Sequence, residues 1–339
     1  MLFNVTASSR YSSSQQSYYD QAAEIARLLN IKLTSRPYNK GRIPMCGFPL
    51  VHLDKNLKIL VQQNKRFVAM CEEFPQYLPG QLKPEFDRRV VRVVTPGTLI
   101  DEQFLNQYEN NYLLSISSFD APPSYYGGGN DTSKAVGLAW MDVSTGEFFV
   151  ESSTYDGLRD ELARIGPKEI VLDKYLESRP SHPIRMALIE EGNFVSYISS
   201  SDGSIPNHSA GHGPGGDLTA VDRESLTTSI SALTPLETSA ISLLTTFLNA
   251  NLLEHMPRLS LPNREDNGGR MQIDAHTIRA LEIRGGATEG TTHGSLLSVI
   301  KRTVTSSGTR LLARWLCIYS ILLASDIYSP PLRFAEHIY

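Results

Sequence analysis

The stretch VGLAWMDVSTGEFFV, residues 136–150, decides how this chain is expected to fold. Its first half is almost entirely apolar, which is typical of a buried strand. The tripeptide STG at 144–146 predicts a turn, and the apolar residues after it predict the returning strand of a hairpin. A helical pattern at 155–165 and a further apolar run at 169–173 follow. A hairpin, a helix and a strand in succession predict a sheet of mixed strands covered by helices.

A smaller α/β unit is expected upstream of this hairpin. From residue 19 onward, apolar side chains recur at the spacing of one helical face: Ala22, Ile25, Ala26 and Leu29. The other elements expected in this unit are a strand at 31–34, a Pro/Gly-rich loop at 36–49, a helix capped by Asp54, and strands at 67–71 and 90–94. Residues 1–18 are rich in Ser and Gln and carry no periodicity, so we expect them to be disordered.

Downstream of the hairpin the pattern predicts helices at 239–253 and 296–315 and an extended link at 271–274. The Gly/Ser/His-rich stretch at 199–217 is expected to be a mobile insert. The longest apolar run, near 315–324, is about half the roughly 20 residues that a membrane-spanning helix needs. No membrane partner is therefore expected.

Positive charge is concentrated in one part of an otherwise acidic chain. The 339 residues carry a formal net charge of −4. Residues 32–92 nevertheless contain twelve Lys and Arg against five Asp and Glu, a local excess of about +7. Such an excess can supply the electrostatic part of phosphate binding, but a solvated surface has the same composition. Charge alone leaves both interpretations open.

The cysteines and histidines give little indication of a metal site. Cys46, Cys71 and Cys317 form no CxxC pair, which argues against a disulfide framework and a cysteine zinc site. Cys46 and Cys71 are expected to be small buried side chains. His208 and His212 stand four residues apart, but in a Gly-rich stretch that does not preset metal geometry. We expect both histidines to be exposed to solvent and expect no metal ligand in this chain.

Four groups of residues together resemble the MutS family of DNA mismatch-repair proteins. They are IPMCGFP at 43–49 with HLDKNL at 52–57, VAMCEE at 68–73, RVVTPGT at 92–98, and a downstream group of IDA at 273–275, LEI at 281–283, SLLSVI at 295–300, RTVT at 302–305, GTRLL at 308–312 and RWL at 314–316. Each motif alone is weak, but all four occur in the order and approximate spacing of the family. The resemblance covers residues 19–316.

The resemblance implies a multidomain α/β fold. Residues 19–98 are similar to the small mixed α/β mismatch-binding domain, and 110–258 to the connector domain, which has a ribonuclease-H-like fold without catalysis. Residues 270–316 are similar to the start of the all-helical core, whereas 317–339 diverge. The Gly-Phe-Pro and Cys-Glu-Glu-Phe variants are most similar to the fungal mitochondrial branch. That branch implies a mitochondrial location, with the nucleus as the alternative.

Two departures from the family pattern affect the expected function. The family carries Gly-x-Phe-Tyr-Glu before the first helix, and its Phe stacks as a wedge into the mismatch. Here residues 12–19 read SSSQQSYY, so that only a tyrosine such as Tyr18 is available to stack. A GxxxxGK[S/T] phosphate loop does not occur in the 339 residues. The chain is expected to be a fragment without the ATPase, and ATP and Mg²⁺ are expected only in a full-length member.

The expected function is binding of mismatched double-stranded DNA within a non-catalytic part of a MutS-type protein. A homo-oligomer or other repair proteins are further expected partners. The predicted DNA-contacting side chains and backbone positions lie around the 36–49 loop: Lys40, Arg42, Met45, Gly47, Phe48 and Pro49. Lys40 and Arg42 supply positive charge, and Gly47 allows the backbone to approach DNA closely. Met45 and Phe48 either reach a groove of the DNA or belong to the core of the unit.

Two alternatives remain open from the residues alone. Asp142, Glu147 and Asp173 could hold metal ions as carboxylates on adjacent strands of a ribonuclease-H-type nuclease. The competing interpretation, in which Asp142 caps the hairpin turn, is favoured because no acidic cluster follows at helical spacing. The other alternative is a regulatory fragment that contacts repair partners without binding DNA.

Overall fold

The computed structural model describes residues 2–7, 14–38, 41–76, 85–99, 109–118, 135–199, 233–253, 256, 259–265, 270–271, 273–285, 293–317 and 319–320. These residues form two compact units. The first lies within Met1–Phe104 and Phe247–Arg258, and the second within Leu105–Thr246 and Leu259–Tyr339. The prediction of a multidomain α/β chain is confirmed. The segment at 270–316, predicted as the start of the helical core, falls within the second unit.

The first unit contains a six-stranded sheet with helices on one face. Its strands are β1 (Leu2–Ala7), β2 (Ser14–Tyr18), β3 (Thr34–Tyr38), β4 (Gly41–Pro49), β5 (Phe67–Gln76) and β6 (Glu85–Val94), in the order β3-β4-β2-β1-β5-β6. Its helices are α1 (Tyr19–Leu29), a 3-10 turn at Leu50–His52, and α2 (Leu53–Leu57), which continues as a π-helical stretch at Lys58–Gln63. Strands β1 and β5 run parallel, and the other neighbours are antiparallel.

Helix α1 forms as its sequence predicts. The four apolar side chains of the predicted stripe are the buried ones: Ala22, Ile25, Ala26 and Leu29. The helix ends at Asn30, which adopts the left-handed conformation with φ 52°. Asparagine tolerates this conformation better than most residues do, and its backbone N–H there bonds to carbonyls of the last turn.

Several predictions for the first unit are wrong. The strand expected at 31–34 begins only at Thr34, and Asp54 lies in the first turn of α2 and does not cap it. Residues 1–18 were expected to be disordered, yet Leu2–Ala7 and Ser14–Tyr18 are strands of the sheet. The 36–49 segment was expected to be a loop, yet β3 and β4 form an antiparallel hairpin. Pairing across the sheet overrides the local preference of Ser, Gln, Pro and Gly for irregular structure. Proline has no N–H to donate to a neighbouring strand. Pro44 is tolerated in β4 because its part of the strand pairs only with the edge strand β3 and has no partner in β2.

The second unit is built on another six-stranded sheet. Its strands are β7 (Tyr112–Ser118), β8 (Ala135–Asp142), β9 (Glu147–Thr154), β10 (Glu169–Asp173), β11 (Val195–Ile198) and β12 (Asn263–Arg264), in the order β11-β10-β7-β8-β9-β12. A separate pair joins β13 (Arg270–Met271) to β14 (Tyr319–Ser320). Its helices are α3 (Leu158–Ile165), a 3-10 turn at Lys174–Ser178, α4 (Pro183–Glu190), α5 (Pro235–Leu252, belonging to this unit up to Thr246), α6 (Ala275–Ala280), α7 (Leu296–Ile300) and α8 (Ser306–Cys317).

The predicted hairpin and its flanking elements are confirmed. Strands β7, β8 and β9 are antiparallel neighbours, while β10 pairs in parallel with β7. Gly146 completes the predicted turn with φ +76°, a backbone conformation that favours glycine. Trp140 and Phe149 stack in the core with ring centroids 5.6 Å apart. Their burial explains why this stretch of sequence gives so clear a strand pattern.

Helix α5 approaches strand β8 at the position of Gly137. A Cβ atom on Gly137 would lie 2.3 Å from the carbonyl oxygen of Leu236, so only glycine fits there. The same carbonyl accepts a hydrogen bond of 2.6 Å from the Ser117 hydroxyl. The helix start is fixed by a capping box, because Thr234 N–H donates to Glu237 Oε2 and Glu237 N–H donates to Thr234 Oγ1.

Among the described residues, no helix is both long enough and apolar enough to cross a membrane.

Candidate nucleic-acid interface

Strand alternation divides the predicted DNA-contacting residues between the two faces of β4. Cys46 and Phe48 are buried, and the Cys46 thiol hydrogen-bonds with the backbone of Ala26 in α1. Because side chains alternate along a strand, Met45 and Gly47 face away from α1. Phe48 is 6% exposed, so the expectation that it reaches a groove is wrong. Its apolar ring contributes instead to the core between sheet and helix.

The face of β4 away from α1 gathers an aromatic ring, a guanidinium and a thioether. Tyr18 in β2 lies opposite Met45 in β4, and Thr34 in β3 lies on the other side of the same residue. Arg36 Nη1 donates a hydrogen bond of 3.1 Å to the Tyr18 hydroxyl. Thr34 Oγ1 donates one of 3.0 Å to the Met45 carbonyl oxygen. We call Tyr18, Arg36 and Met45 the open-face cluster.

The remaining described positions are divided between the two faces, because Gly47 and Pro49 have the strand parity of Met45, whereas Arg42 has the parity of Cys46 and Phe48. Arg42 is exposed and lies opposite Pro37 in the β3–β4 hairpin. Gly47 and Pro49 are also exposed. Lys40 lies outside the described residues. Of the positions predicted from the sequence, Arg42, Gly47 and Pro49 are exposed and Met45 is half-buried. The prediction did not name Arg36, which neighbours Tyr18 because residues 34–49 form a hairpin and not a loop.

Several arginines of the basic stretch are neutralised within the unit. Arg66 pairs with Glu24, Arg88 with Glu73, and Arg89 with Asp87, at N···O distances of 2.7, 2.8 and 2.6 Å. Among the described residues, Arg36 and Arg42 have no carboxylate within ion-pair distance. The β3–β4 hairpin thus carries two guanidinium groups without a carboxylate partner among the described residues, and Arg36 is the one that lies next to Tyr18. Such charge is what a phosphate backbone attracts.

Asp142 caps the turn of the β8–β9 hairpin. Its Oδ1 accepts hydrogen bonds from the Ser144 N–H and hydroxyl, at 2.9 and 2.6 Å. Its Oδ2 accepts one of 3.0 Å from the Asn111 N–H. These contacts support the capping interpretation over the nuclease alternative. Within the described part of the chain, no group of three or more His, Cys, Asp or Glu side chains is arranged to hold a metal ion.

The cysteines behave as structural side chains in the first unit. Burial raises the pKa of the Cys46 thiol, and a backbone hydrogen bond from Ala26 opposes that rise only in part. Burial also raises the pKa of the Cys71 thiol. A thiol with a raised pKa forms little thiolate at neutral pH and is a poor nucleophile. His208 and His212 lie outside the described residues.

A buried charge cluster in the second unit was not predicted from the sequence. Arg164 in α3 bonds to Glu151 and Glu161 at 2.6 Å each and to Glu265 at 2.8 Å. Burial lowers the pKa of Arg164, but the three carboxylates together raise it above its usual value. A sequence signal existed, because Glu151 directly follows the apolar strand residues at 148–150.

A cavity of about 370 Å³ opens beside this cluster, between the start of β7, the end of α3, and the helices α6 and α8. Three of its basic side chains have carboxylate partners: Lys168 with Glu109, Arg279 with Glu191, and Arg314 with Glu265. Arg284 donates to the Ile165 carbonyl at 3.3 Å and so caps the end of α3. Tyr112 lines the cavity too, and burial raises the pKa of its hydroxyl well above the usual range, with a contribution from Glu147. The cavity is thus lined by three paired basic groups together with apolar side chains such as Ile165 and Ile278.

Comparison with known families identifies three consecutive domains. Residues 12–103 match MutS domain I, 111–207 match MutS domain II, and 276–318 match MutS domain III. The three matches follow one another along the chain. Domain I contains the open-face cluster, domain II contains most of the second sheet, and domain III contains α7 and α8.

Several proteins named "DNA mismatch repair protein MutS" are similar to this chain. The protein of Rhodopseudomonas palustris (strain BisB18) is 34% identical over 299 residues, and that of Nitrobacter hamburgensis is 33% identical over 303. The Bartonella quintana protein is 30% identical over 303 residues. These alignments cover 87–88% of this chain but only 31% of each relative. The chain thus spans about a third of the length of these relatives, and with MutS domains I, II and III in order along its sequence it belongs to the MutS family.

Proposed function

We propose that this chain acts in DNA mismatch repair and binds mismatched double-stranded DNA through its first unit. One observation carries the proposal: MutS domains I, II and III follow one another on a single chain. The relatives that match this chain are named as mismatch-repair proteins, and the proposal extends that function to it. No described feature favours the nuclease alternative.

The open-face cluster and the β3–β4 hairpin are proposed as the DNA contact. Arg36 and Arg42 would bind phosphate oxygens, which position a protein on DNA without reading sequence. Tyr18 and Met45 would lie against the sugar and base edges of the minor groove. Since Phe-x-Glu is replaced by Ser and Gln in the 12–17 stretch, we expect binding to be mainly electrostatic, with a small preference for mismatches.

The finer assignments extend this proposal. The second sheet, with its β7–β8–β9 meander and the parallel strand β10, would be a ribonuclease-H-like connector without catalysis. Residues 270–316 would open the helical core. We further propose a fungal mitochondrial type of MutS protein, located in mitochondria or otherwise in the nucleus, which forms homo-oligomers or contacts other repair proteins. The 339 residues contain no GxxxxGK[S/T] phosphate loop, so the function proposed for this chain involves neither ATP nor Mg²⁺.

Fluorescence anisotropy with labelled duplexes tests the proposal. The purified chain is titrated against matched G·C and mismatched G·T duplexes at salt concentrations from 50 to 200 mM, a range in which phosphate contacts are known to weaken by orders of magnitude. We expect binding that weakens as salt rises and a ratio between the two duplexes of less than about tenfold, which corresponds to about 1.4 kcal/mol.

Single substitutions locate the contact. Arg36→Ala or Arg42→Ala should weaken binding and reduce the slope of log affinity against log salt by about 0.9, the value for one phosphate contact. Arg27→Ala is the matched control, because Arg27 is equally an exposed arginine of the first unit but lies on α1, outside the β3–β4 hairpin. Absence of binding at the lowest salt would refute the proposal. A large G·T preference that Tyr18→Ala abolishes would show instead that Tyr18 stacks as a wedge.

A further inference from the structure

Helix α8 presents two arginines, one helical turn apart, to the sheet of the second unit. Arg314 Nη2 pairs with Glu265, and its guanidinium carbon lies 4.0 Å from the centroid of the Phe149 ring. Arg310 is 7% exposed, and its Nη1 lies 3.9 Å from Oδ2 of Asp142. Residues four apart share one face of a helix, so both arginines belong to the same docking surface.

Asp142 is the buried carboxylate of the sheet that Arg310 of this helix approaches. It has no solvent exposure and stands at the end of β8, where the Ser144 and Asn111 hydrogen bonds fix its carboxylate. An ionised carboxylate at such a position is costly unless a cation lies nearby. Arg310 is the cation within ion-pair distance of it among the described residues. The aspartate therefore does more than cap a turn, since a turn cap needs no guanidinium.

The Arg310 contact is an ion pair without a hydrogen bond. The Nε and Nη1 atoms of Arg310 are buried and have no hydrogen-bond partner among the described residues. A buried guanidinium normally satisfies most of its five N–H donors. The contact with Asp142 thus holds Arg310 by charge alone, whereas Arg314 has both a hydrogen-bonded carboxylate and an aromatic ring. The two contacts of α8 therefore differ in kind, because one is a buried ion pair without a hydrogen bond and the other is a hydrogen-bonded pair beside an aromatic ring.

We propose that α8 is a releasable latch between the MutS domain III segment and the domain II sheet, with Asp142 and Arg310 as its opening contact and Arg314 as its anchor. Movement of domain III that lifts Arg310 would leave Asp142 as an uncompensated buried charge at the end of β8. The position of α8 is in this way coupled to the β8–β9 turn. The proposal depends only on the second unit and not on DNA binding by the first.

Hydrogen–deuterium exchange of the whole chain, followed by mass spectrometry, tests the latch. In Arg310→Met, which keeps an unbranched apolar stem but removes the guanidinium charge, amides of Ser306–Cys317 should exchange at least tenfold faster. Arg310→Lys, which keeps the charge, should recover part of the protection. Arg279→Met is the control, because it removes an exposed arginine from an ion pair with Glu191 in the same unit. It should leave the exchange of α8 unchanged.

A double substitution separates coupling from independent damage. If Asp142 and Arg310 form one contact, Asp142→Asn combined with Arg310→Met should raise exchange of α8 no more than the stronger single change does. Multiplicative effects of the two changes, or unchanged α8 exchange in Arg310→Met, would overturn the proposal. Asp142→Asn also removes a hydrogen-bond acceptor of the turn, so the aspartate variants can fail to fold for that reason alone. The comparison of Arg310→Met with Arg310→Lys then still tests whether the charge of Arg310 holds α8 in place.

Discussion

The guanidinium of Arg164 lies over the indole ring of Trp140, with its central carbon 5.3 Å from the ring centroid. In the same position it pairs with Glu151, Glu161 and Glu265. Its side chain is 12% exposed, and the three carboxylates are 1–10% exposed. One buried cation therefore holds three buried anions from the sheet, α3 and the segment after β12.

Removal of the Arg164 charge should strongly destabilise the second unit. Arg164→Met leaves three buried carboxylates without their shared partner, and breaking a buried ion pair costs about 3–5 kcal/mol. Urea unfolding followed by tryptophan fluorescence measures this loss, because both tryptophans of the chain belong to the second unit. Arg159→Met is the control on the same helix, where the pair with Glu190 is half exposed and should contribute less than about 1 kcal/mol. Equal losses in the two variants would contradict this account.

Gly137 should be intolerant of even the smallest side chain. In Gly137→Ala the new methyl group would meet the Leu236 carbonyl at 2.3 Å, so α5 must move away from β8. Overpacking of this kind costs about 1–3 kcal/mol, measured as a fall in the free energy of unfolding. A matched change at Gly285, where a Cβ meets nothing within 4 Å, should have little effect. The interpretation fails if the two glycine variants are equally stable.

The capping box of α5 makes a separate contribution to stability. Glu237 is fully buried, and besides Thr234 it accepts a hydrogen bond of 2.9 Å from the Ser152 hydroxyl. Glu237→Ala should therefore lower the free energy of unfolding by about 1–3 kcal/mol, because buried donors lose their acceptor. Thermal unfolding provides the measurement. Glu177→Ala, at a glutamate exposed on the surface, serves as the control.

Phe48 should matter for stability and not directly for DNA contact. Loss of a buried phenylalanine ring lowers the free energy of unfolding by about 3–5 kcal/mol. Phe48→Ala should therefore speed the hydrogen–deuterium exchange of the β4 amides. Phe48→Leu keeps most of the apolar volume and should restore protection and DNA affinity together. If Phe48→Leu remained fully protected but lost DNA affinity, the ring would be a direct contact after all.

The cap of α6 should respond to acid. Asp274 accepts hydrogen bonds from the N–H and hydroxyl of Thr277, and these bonds lower the pKa of its carboxyl below the usual value. A lowered pKa in the folded state means that the cap stabilises the helix above about pH 4 and is lost as the pH falls through the lowered value. Asp274→Ala should thus be less stable than the parent at pH 7, and the difference should shrink below pH 4 in thermal unfolding. A difference that stays constant with pH would contradict the assignment.

The sequence predicted those elements whose apolar pattern is simple. The helix α1 was found from its apolar stripe, whereas the β8–β9 hairpin and the strand Glu169–Asp173 were found from nearly continuous apolar runs that are buried along most of their length. The predicted long helix at 296–315 is instead two helices, Leu296–Ile300 and Ser306–Cys317, and the break between them carries no proline or glycine signal.

The candidate DNA contact was predicted less completely. Prolines and glycines in the 36–49 segment signal a loop when they are read locally, and only pairing with neighbouring strands makes them part of a sheet. Without the hairpin, the proximity of Arg36 to Tyr18 has no sequence signature, because eighteen residues separate them. The alternation that buries Phe48 and exposes Met45 was hidden for the same reason.

Strand β1 lies between β2 and β5, in the interior of the first sheet. Its parallel partner β5 follows about sixty residues later, so β1 is synthesised long before the strand that pairs with it. Proteolytic processing that removed residues 1–18, or an expressed fragment begun at the helix at residue 19, would divide the sheet into the β3–β4 hairpin and the β5–β6 hairpin. The open-face cluster would lose Tyr18 in the same cut. Strands β1 and β2 are therefore parts of the folded unit that cannot be trimmed without loss.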